Sequence, residues 1–229
     1  TTGETTKAGV ASRVLLADKI ILDASLTIGL PAAVTAATGI DAMVHAIEAF
    51  TSKRLKNPLS DMLAREALRL MAGNIRVAVR EGSNLAAREA MLLGAMLAGQ
   101  AFANAPVAAV HALAYPLGGN YHIPHGLSNA LVLPHVLRFN GPEAANLYAE
   151  LTQIILPTRS LPADPLQVTA ILADYFLELA ADLGLPTRLQ QMNIDQKDLP
   201  MLAEQAMLQQ RLLINNPRAM SLSDALSIY

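Results

Sequence analysis

The longest uncharged stretch of the chain sets the strongest limit on how it folds. No Asp, Glu, Lys or Arg lies between Glu89 and Arg138, so this stretch must be buried in a protein core or a membrane. A membrane helix needs about 20 predominantly apolar residues in a row. Polar residues and prolines interrupt the stretch before that length is reached. They are Gln100, Asn104, Pro106, His111, Pro116, Asn120 and His122. We therefore expect a buried central helix pair and no membrane span.

The rest of the chain favours helices as well. Hydrophobic residues make up 52% of the 229 residues and aromatic residues only 4%. Ala and Leu dominate, which favours closely packed helices over a β-sandwich. Apolar residues recur at helical spacing from Pro31 onward, with an interruption at Gly39 and a stop signal at 140–142. We predict one all-α domain, a helical bundle, over residues 27–229.

Residues 1–26 have a different pattern. The segment Lys19–Leu22 is rich in isoleucine and is typical of a short buried strand. A strand needs neighbouring strands, and the sequence downstream offers few. We interpret residues 1–26 as trailing strands, a β remnant, of a sheet whose body lies outside this sequence.

A carboxylate and two histidines form the core of a candidate metal site. Asp41 and His45 are four residues apart in a helical pattern, so their side chains leave the same face of the helix. His111 lies in the uncharged stretch. A buried carboxylate next to imidazoles is stabilised best by a divalent cation, and this combination of residue types is a common set of metal ligands.

The third histidine of the site has two candidates, His122 and His125, which lie three residues apart. Either could point inward. Pro124 fixes the backbone before His125, and Gly126 permits a tight approach, which favours His125. Glu48 lies three residues after His45, and a solvated or structural role suits it better than a role as a ligand.

Charge and cysteine content exclude several classes of function. The net charge of −2 and the pI of about 6.2, without a basic stripe, argue against nucleic-acid binding. The chain has no cysteine, which excludes disulfides, thiolate metal ligands and a cysteine nucleophile. Because a chain without disulfides is compatible with a reducing compartment, we expect a cytoplasmic protein.

Three motifs carry a resemblance to a known family. The segments TAATGIDAMVHAIEAF, HALAYPLGGNYHIPHGLSNALVLPHVLRFN and NPRAMSLSDALSIY closely resemble the iron-containing (group III) alcohol dehydrogenases. The resemblance implies an N-terminal α/β domain that binds NAD or NADP and a C-terminal helical domain that binds Fe(II), with Zn(II) as an alternative. The ligands that it implies are Asp41, His45, His111 and His125.

The resemblance also implies an activity. The metal would polarise the oxygen of a small alcohol, aldehyde or ketone while a hydride passes between that substrate and NAD(P). It further implies a homodimer, and a chain that is inactive without its N-terminal domain. The alternatives are an activity like that of maleylacetate reductase, glycerol dehydrogenase or dehydroquinate synthase, or a non-catalytic helical fragment that binds metal.

Two further residues follow from the resemblance. Lys7 matches a family lysine near the cofactor ribose, although a solvated loop lysine is the alternative. Tyr115 occupies the position, four residues after His111, at which many family members carry a second histidine that relays protons. A phenol has a pKa near ~10 and is a poorer base than imidazole. As a catalytic residue, Tyr115 would therefore orient substrate or relay protons through water, and the third alternative is that it does neither.

Overall fold

The computed structural model describes residues 13–15 and 17–229. The regular secondary structure within these ranges is entirely helical, which confirms the predicted fold class. The longer helices are α1 (Ala32–Thr51), α2 (Pro58–Arg80), α3 (Leu85–Asn104), α4 (Ala109–Tyr121), α5 (His125–Ile155) and α6 (Pro165–Asp182). Three shorter ones follow, α7 (Leu199–Met207), α8 (Gln210–Leu213) and α9 (Leu222–Ile228).

Short polar side chains and one glycine set the ends of several helices. The side chains of Asn57, Asn84 and Asp164 accept hydrogen bonds from backbone N–H groups in the first turns of α2, α3 and α6. These bonds satisfy donors that have no partner within the helix. Gly184 follows α6 with φ of +74°, a conformation that glycine adopts without strain, so the helix ends there as the sequence predicts.

The strand predicted at Lys19–Leu22 is absent. This segment is irregular, and Ile21 is 91% exposed. The prediction of a buried strand is wrong for a physical reason. An isolated strand leaves its backbone N–H and C=O groups without partners, and the described residues provide no second strand. Residues 1–12, which include Lys7, and residue 16 lie outside the described part.

Helix α1 lies at the centre of the core and packs against α2, α3 and α5. Gly39 does not interrupt it, contrary to the sequence-based expectation. A Cβ atom built on Gly39 would lie 2.8 Å from the Met91 side chain and 2.9 Å from that of Ile75. The glycine therefore permits the close approach of neighbouring side chains, and the gain in packing outweighs its low helix propensity.

Helix α5 continues through the predicted stop at 140–142 and ends at Ile155. Pro142 has no N–H to donate within the helix. Residues near the end of the chain form hydrogen bonds to α5 just before this proline. The Arg218 guanidinium donates to the carbonyl of Phe139 over 2.7 Å. The Asn140 amide donates to Asn216 over 3.0 Å, and Asn216 donates back over 2.7 Å. Tertiary hydrogen bonds thus stabilise a helix that local sequence signals would end.

The uncharged stretch forms most of α3, all of the buried helix α4 and nearly half of α5. No helix in the described ranges is by itself long and apolar enough to cross a membrane. Helices α3 and α4 meet this requirement of length and apolar character only as a pair, and they are bent by 107° where they meet. The start of α4 lies next to the second half of α1, where Glu48 accepts hydrogen bonds from Ala108 and Val110.

Candidate metal centre

Three helices bring together the four residues predicted as metal ligands. Asp41 and His45 come from α1, His111 from the first turn of α4 and His125 from the first residue of α5. One donor atom from each of the four lies within 4.8 Å of all the others. The Nε2 atoms of His45 and His111 are 3.0 Å apart. The Asp41 carboxylate is 3.9 Å from His111 Nε2 and 3.8 Å from His125 Nε2.

These separations fit a single cation. Donor atoms around a tetrahedral ion with bonds of about 2.1 Å lie roughly 3.4 Å from one another. The measured distances lie on either side of that value, so small side-chain movements would close the set around an ion. Three imidazoles and one carboxylate are also the donor types that Fe(II) and Zn(II) accept.

The close contact between α1 and α5 places His125 in this set. Gly126, the next residue, packs directly against the backbone of Ala37 in α1. His122 instead ends α4 in a left-handed conformation, with φ of 54°, and its side chain is exposed. Of the two histidines that the spacing left open, the structure brings His125 to the other donors. His135 is exposed, further along α5.

Glu48 is a buried carboxylate that orients His111. Of the solvated and structural roles that the sequence left open, its burial supports the structural one. It is 4% exposed and accepts hydrogen bonds from the backbone N–H groups of Ala108 (3.0 Å) and Val110 (2.7 Å). Its Oε2 also lies 2.7 Å from His111 Nδ1. A carboxylate can only accept a hydrogen bond, so the proton of His111 is on Nδ1. The lone pair on its Nε2 then faces the other proposed metal ligands.

Replacing Glu48 with glutamine should weaken both the fold and the site. A glutamine amide has one acceptor atom and cannot bind all three donors, so at least one buried N–H loses its partner. We expect a loss of about 1–3 kcal/mol in unfolding free energy and a metal affinity that is 10–100-fold lower. Denaturant titration and chelator competition measure these changes. Glu66→Gln, at an exposed ion pair on α2, is the control. Unchanged values for Glu48→Gln would contradict the role of this carboxylate.

The imidazole of His45 is held neutral. Burial, followed by the neighbouring His111 ring, lowers the pKa of His45 to about 4, against the opposing effect of Asp41 and Glu48. The ring also stacks on Phe102 of α3, with 4.6 Å between ring centroids. Because a metal ion binds the neutral form of histidine, the site has this side chain in a binding-competent state at pH 7.

Asn129 also reaches the donor set, and the sequence reasoning did not single it out. It lies one helical turn after His125 and is fully buried. Its amide nitrogen donates to Asp41 Oδ1 and lies 3.3 Å from His111 Nε2 and 3.4 Å from His125 Nε2. Its Oδ1 has no hydrogen-bond partner among the described residues. The spacing to His125 was the available signal, since residues four apart share a helix face.

Tyr115 borders the site. It is partly buried, and its ring centroid lies 6.1 Å from that of His125. Burial raises the pKa of its phenol, with smaller contributions in the same direction from Glu48 and Asp41, whereas Arg211 lowers it. The phenol is therefore protonated at neutral pH and can donate a hydrogen bond. Tyr115 and Phe102 both pack on a small apolar cluster formed by Val107, Ala112 and Leu212.

Comparison with known sequences identifies similar proteins. Residues 35–229 match the family described as "Fe-containing alcohol dehydrogenase family, C-terminal". The chain is 43% identical over 202 residues to 1,3-propanediol dehydrogenase of Klebsiella pneumoniae, across 86% of this chain and 50% of that protein. It is 41% identical over 226 residues to long-chain-alcohol dehydrogenase 1 of Geobacillus thermodenitrificans (strain NG80-2), across 99% of this chain and 57% of that protein. The chain thus spans about half the length of the curated relatives that it matches.

Solved structures share the fold. A crystal structure of 1,3-propanediol oxidoreductase is 40% identical and superposes with a TM-score of 0.85, over 90% of this chain and 53% of that one. Sulfoacetaldehyde reductase from Bifidobacterium kashiwanohense, in complex with NAD+, is 30% identical with a TM-score of 0.79, over 90% of this chain and 52% of that one. In both, the match to this chain covers about half of the longer protein.

Proposed function

Because the chain belongs to the iron-containing alcohol dehydrogenase family, as its C-terminal helical part, we propose that it is the metal-binding half of an oxidoreductase. That enzyme would transfer a hydride between an alcohol and NAD(P). The observation that carries the proposal is the meeting of one carboxylate and three imidazoles, from three helices, within 4.8 Å. The names of the relatives given above, two alcohol dehydrogenases, a 1,3-propanediol oxidoreductase and an aldehyde reductase, support the interconversion of an alcohol and a carbonyl compound.

In this proposal four side chains bind one divalent cation. They are Asp41, His45, His111 and His125. When bound, the cation supplies a Lewis acid that polarises an alcohol or carbonyl oxygen. The name of the family favours Fe(II), although Zn(II) suits the same nitrogen and oxygen donors and generally binds them more tightly. The chain itself holds the donors together, keeps His45 neutral and fixes the tautomer of His111 through Glu48.

Tyr115 is proposed to orient the substrate. Its raised pKa argues against a role as a general base at neutral pH, because a base must accept a proton. A protonated phenol next to His125 can instead donate a hydrogen bond to a substrate oxygen. The aromatic ring of Phe102 and the apolar cluster beneath both rings suit an alkyl group. A small, weakly polar alcohol, aldehyde or ketone is the proposed substrate class.

The proposal assigns the dinucleotide to a separate nucleotide-binding domain. Residues 1–26 would connect to that domain, and Lys7 would lie near the ribose of the cofactor. The NAD+ complex of the B. kashiwanohense reductase supports a nicotinamide cofactor for this kind of protein. Without such a domain the chain would bind metal but have no hydride acceptor, so we expect it to be inactive on its own.

A test of the proposal joins this chain to the nucleotide-binding domain that it requires. We expect NAD(P)-dependent oxidation of small alcohols that disappears on complete chelation and returns with Fe(II) or Zn(II). The assay follows NAD(P)H absorbance, and elemental analysis of the same samples counts the bound ions. The expected stoichiometry is one ion per chain. Activity that persists after the metal has been removed would refute the proposed mechanism. One bound ion without hydride transfer would point to a non-catalytic metal-binding protein.

A further inference from the structure

Three ligand atoms of the candidate metal centre lie close to a single amide nitrogen. They are Asp41 Oδ1, His111 Nε2 and His125 Nε2, and the nitrogen is Asn129 Nδ2. Because Glu48 fixes the proton of His111 on Nδ1, the Nε2 atom of His111 can only accept. The amide has two N–H groups, so it can donate to Asp41 Oδ1 and to His111 Nε2. Three of the four proposed ligands thus lie against a group with partial positive charge.

The unpaired oxygen of Asn129 shows which contacts of this residue set the orientation of its amide. Its Oδ1 is buried and has no partner among the described residues, an arrangement that is rare in folded proteins. Turning the amide over would aim this oxygen at the Asp41 carboxylate and at two imidazole nitrogens. The attraction of the N–H groups to Asp41 and His111 therefore keeps the amide in its present orientation, although its oxygen then has no hydrogen bond.

We propose that Asn129 is a positioning residue that holds the metal ligands in their ion-binding arrangement before the ion arrives. The inference rests on the proposed metal centre and goes beyond it, because it concerns the assembly of the site in the ion-free chain. The amide restrains Asp41 directly. Without it the Asp41 carboxylate could turn toward solvent, since its side chain is 15% exposed. A restrained ligand set loses less conformational freedom on binding and so binds more tightly.

The test compares variants of the 229-residue chain by two measurements. Competition with a chromophoric chelator gives the Kd for Zn(II), and thermal unfolding of the ion-free chain gives its Tm. Asn129→Ala removes the amide. Asn129→Asp keeps the shape of the side chain but removes its N–H groups. Asn140→Ala is the matched control, because Asn140 is also a buried amide on α5 but lies about 16 Å further along the helix axis.

We expect Asn129→Ala to weaken Zn(II) binding by 10–100-fold, the usual effect of losing a group that orients a ligand. Asn140→Ala should lower the Tm but leave the Kd for Zn(II) within about twofold of the wild-type value. Asn129→Asp should lower the Tm of the ion-free chain by about 2–4 °C or more. In this variant Zn(II) should raise the Tm by more than in the wild type, because the cation then separates two carboxylates.

Two outcomes would overturn the inference. The first is a wild-type Kd for Zn(II) in Asn129→Ala. The second is an Asn129→Asp variant that matches the wild type in both measurements, since only the shape of the side chain would then matter. His111→Ala separates this inference from the proposed metal centre. If His111→Ala weakens Zn(II) binding and Asn129→Ala does not, only the role of Asn129 fails. If neither does, the metal centre itself is refuted.

Discussion

Replacing His111 with alanine is expected to abolish metal uptake by the chain under ordinary purification conditions. His111 is the most buried of the four proposed ligands, and its Nε2 lies within 4 Å of donors on two other residues, His45 and Asp41. Four-ligand zinc sites bind with roughly 10–16 kcal/mol. An equal share for one ligand corresponds to a loss of about 100–1,000-fold in affinity. Elemental analysis after gel filtration and chelator competition measure this loss.

The control for this variant is His135→Ala. His135 is also a histidine of the uncharged stretch, but it is exposed and lies away from the donor set. We expect His135→Ala to keep the full metal content. Circular dichroism of both variants separates a lost ligand from a lost fold, which matters because His111→Ala also leaves Glu48 with one partner fewer. Full metal occupancy in folded His111→Ala would contradict the assignment of this residue as a ligand.

Replacing Gly126 with alanine should have the largest effect on stability. A Cβ atom at Gly126 would overlap the carbonyl oxygen of Ala37 and lie 2.7 Å from its carbonyl carbon and 3.2 Å from the nitrogen of Thr38. All of these are backbone atoms of α1, so no side chain can turn away to make room. Only a separation of α1 and α5 would relieve the overlap. We expect a loss of about 3 kcal/mol or more, which corresponds to a fall in Tm of roughly 6–12 °C.

The same substitution should damage the metal centre, because His125 is the neighbouring residue and Asp41 lies one turn along α1 from Ala37. Thermal unfolding with and without Zn(II) measures both effects. Gly73→Ala is the matched control, since Gly73 lies inside α2 and a Cβ atom there would meet nothing within 4 Å. We expect it to raise stability by up to about 1 kcal/mol through helix propensity. A Tm for Gly126→Ala at or above that of the wild type would show that α1 and α5 do not pack as described.

The parts of the site that lie within one helix could be predicted from the sequence. Asp41 and His45 are one turn apart, and helix geometry alone puts them on one face. The choice between His122 and His125 could not be made from spacing, because it depends on where α4 ends and how closely α5 approaches α1. Helical spacing alone places Glu48 on the same side of α1 as His45, and Asn129 on the same side of α5 as His125. Their partners on other helices could not be predicted, because the sequence does not show which helices approach them.

Local stop signals were the least reliable part of the prediction. Gly39 and the segment 140–142 would both weaken an isolated helix, yet α1 and α5 continue past them. In each case a distant residue supplies the compensation, Met91 beside Gly39 and Arg218 beside Phe139. Lys19–Leu22 shows the opposite case, in which a local strand pattern fails because no neighbouring strand is present to pair with it.

The side chains that support the four donors are different from those that border them. Glu48 and Asn129 bond to the donors directly, whereas Phe102 and Tyr115 stand beside them and rest on an apolar cluster. If the proposed function holds, the border at Tyr115 could therefore change to admit a longer or more polar alcohol while the contacts of Glu48 and Asn129 with the proposed ligands stay in place. Phe102 is less free to change, because its ring stacks on the imidazole of His45. Such a division would let the same proposed ligand set serve several substrates.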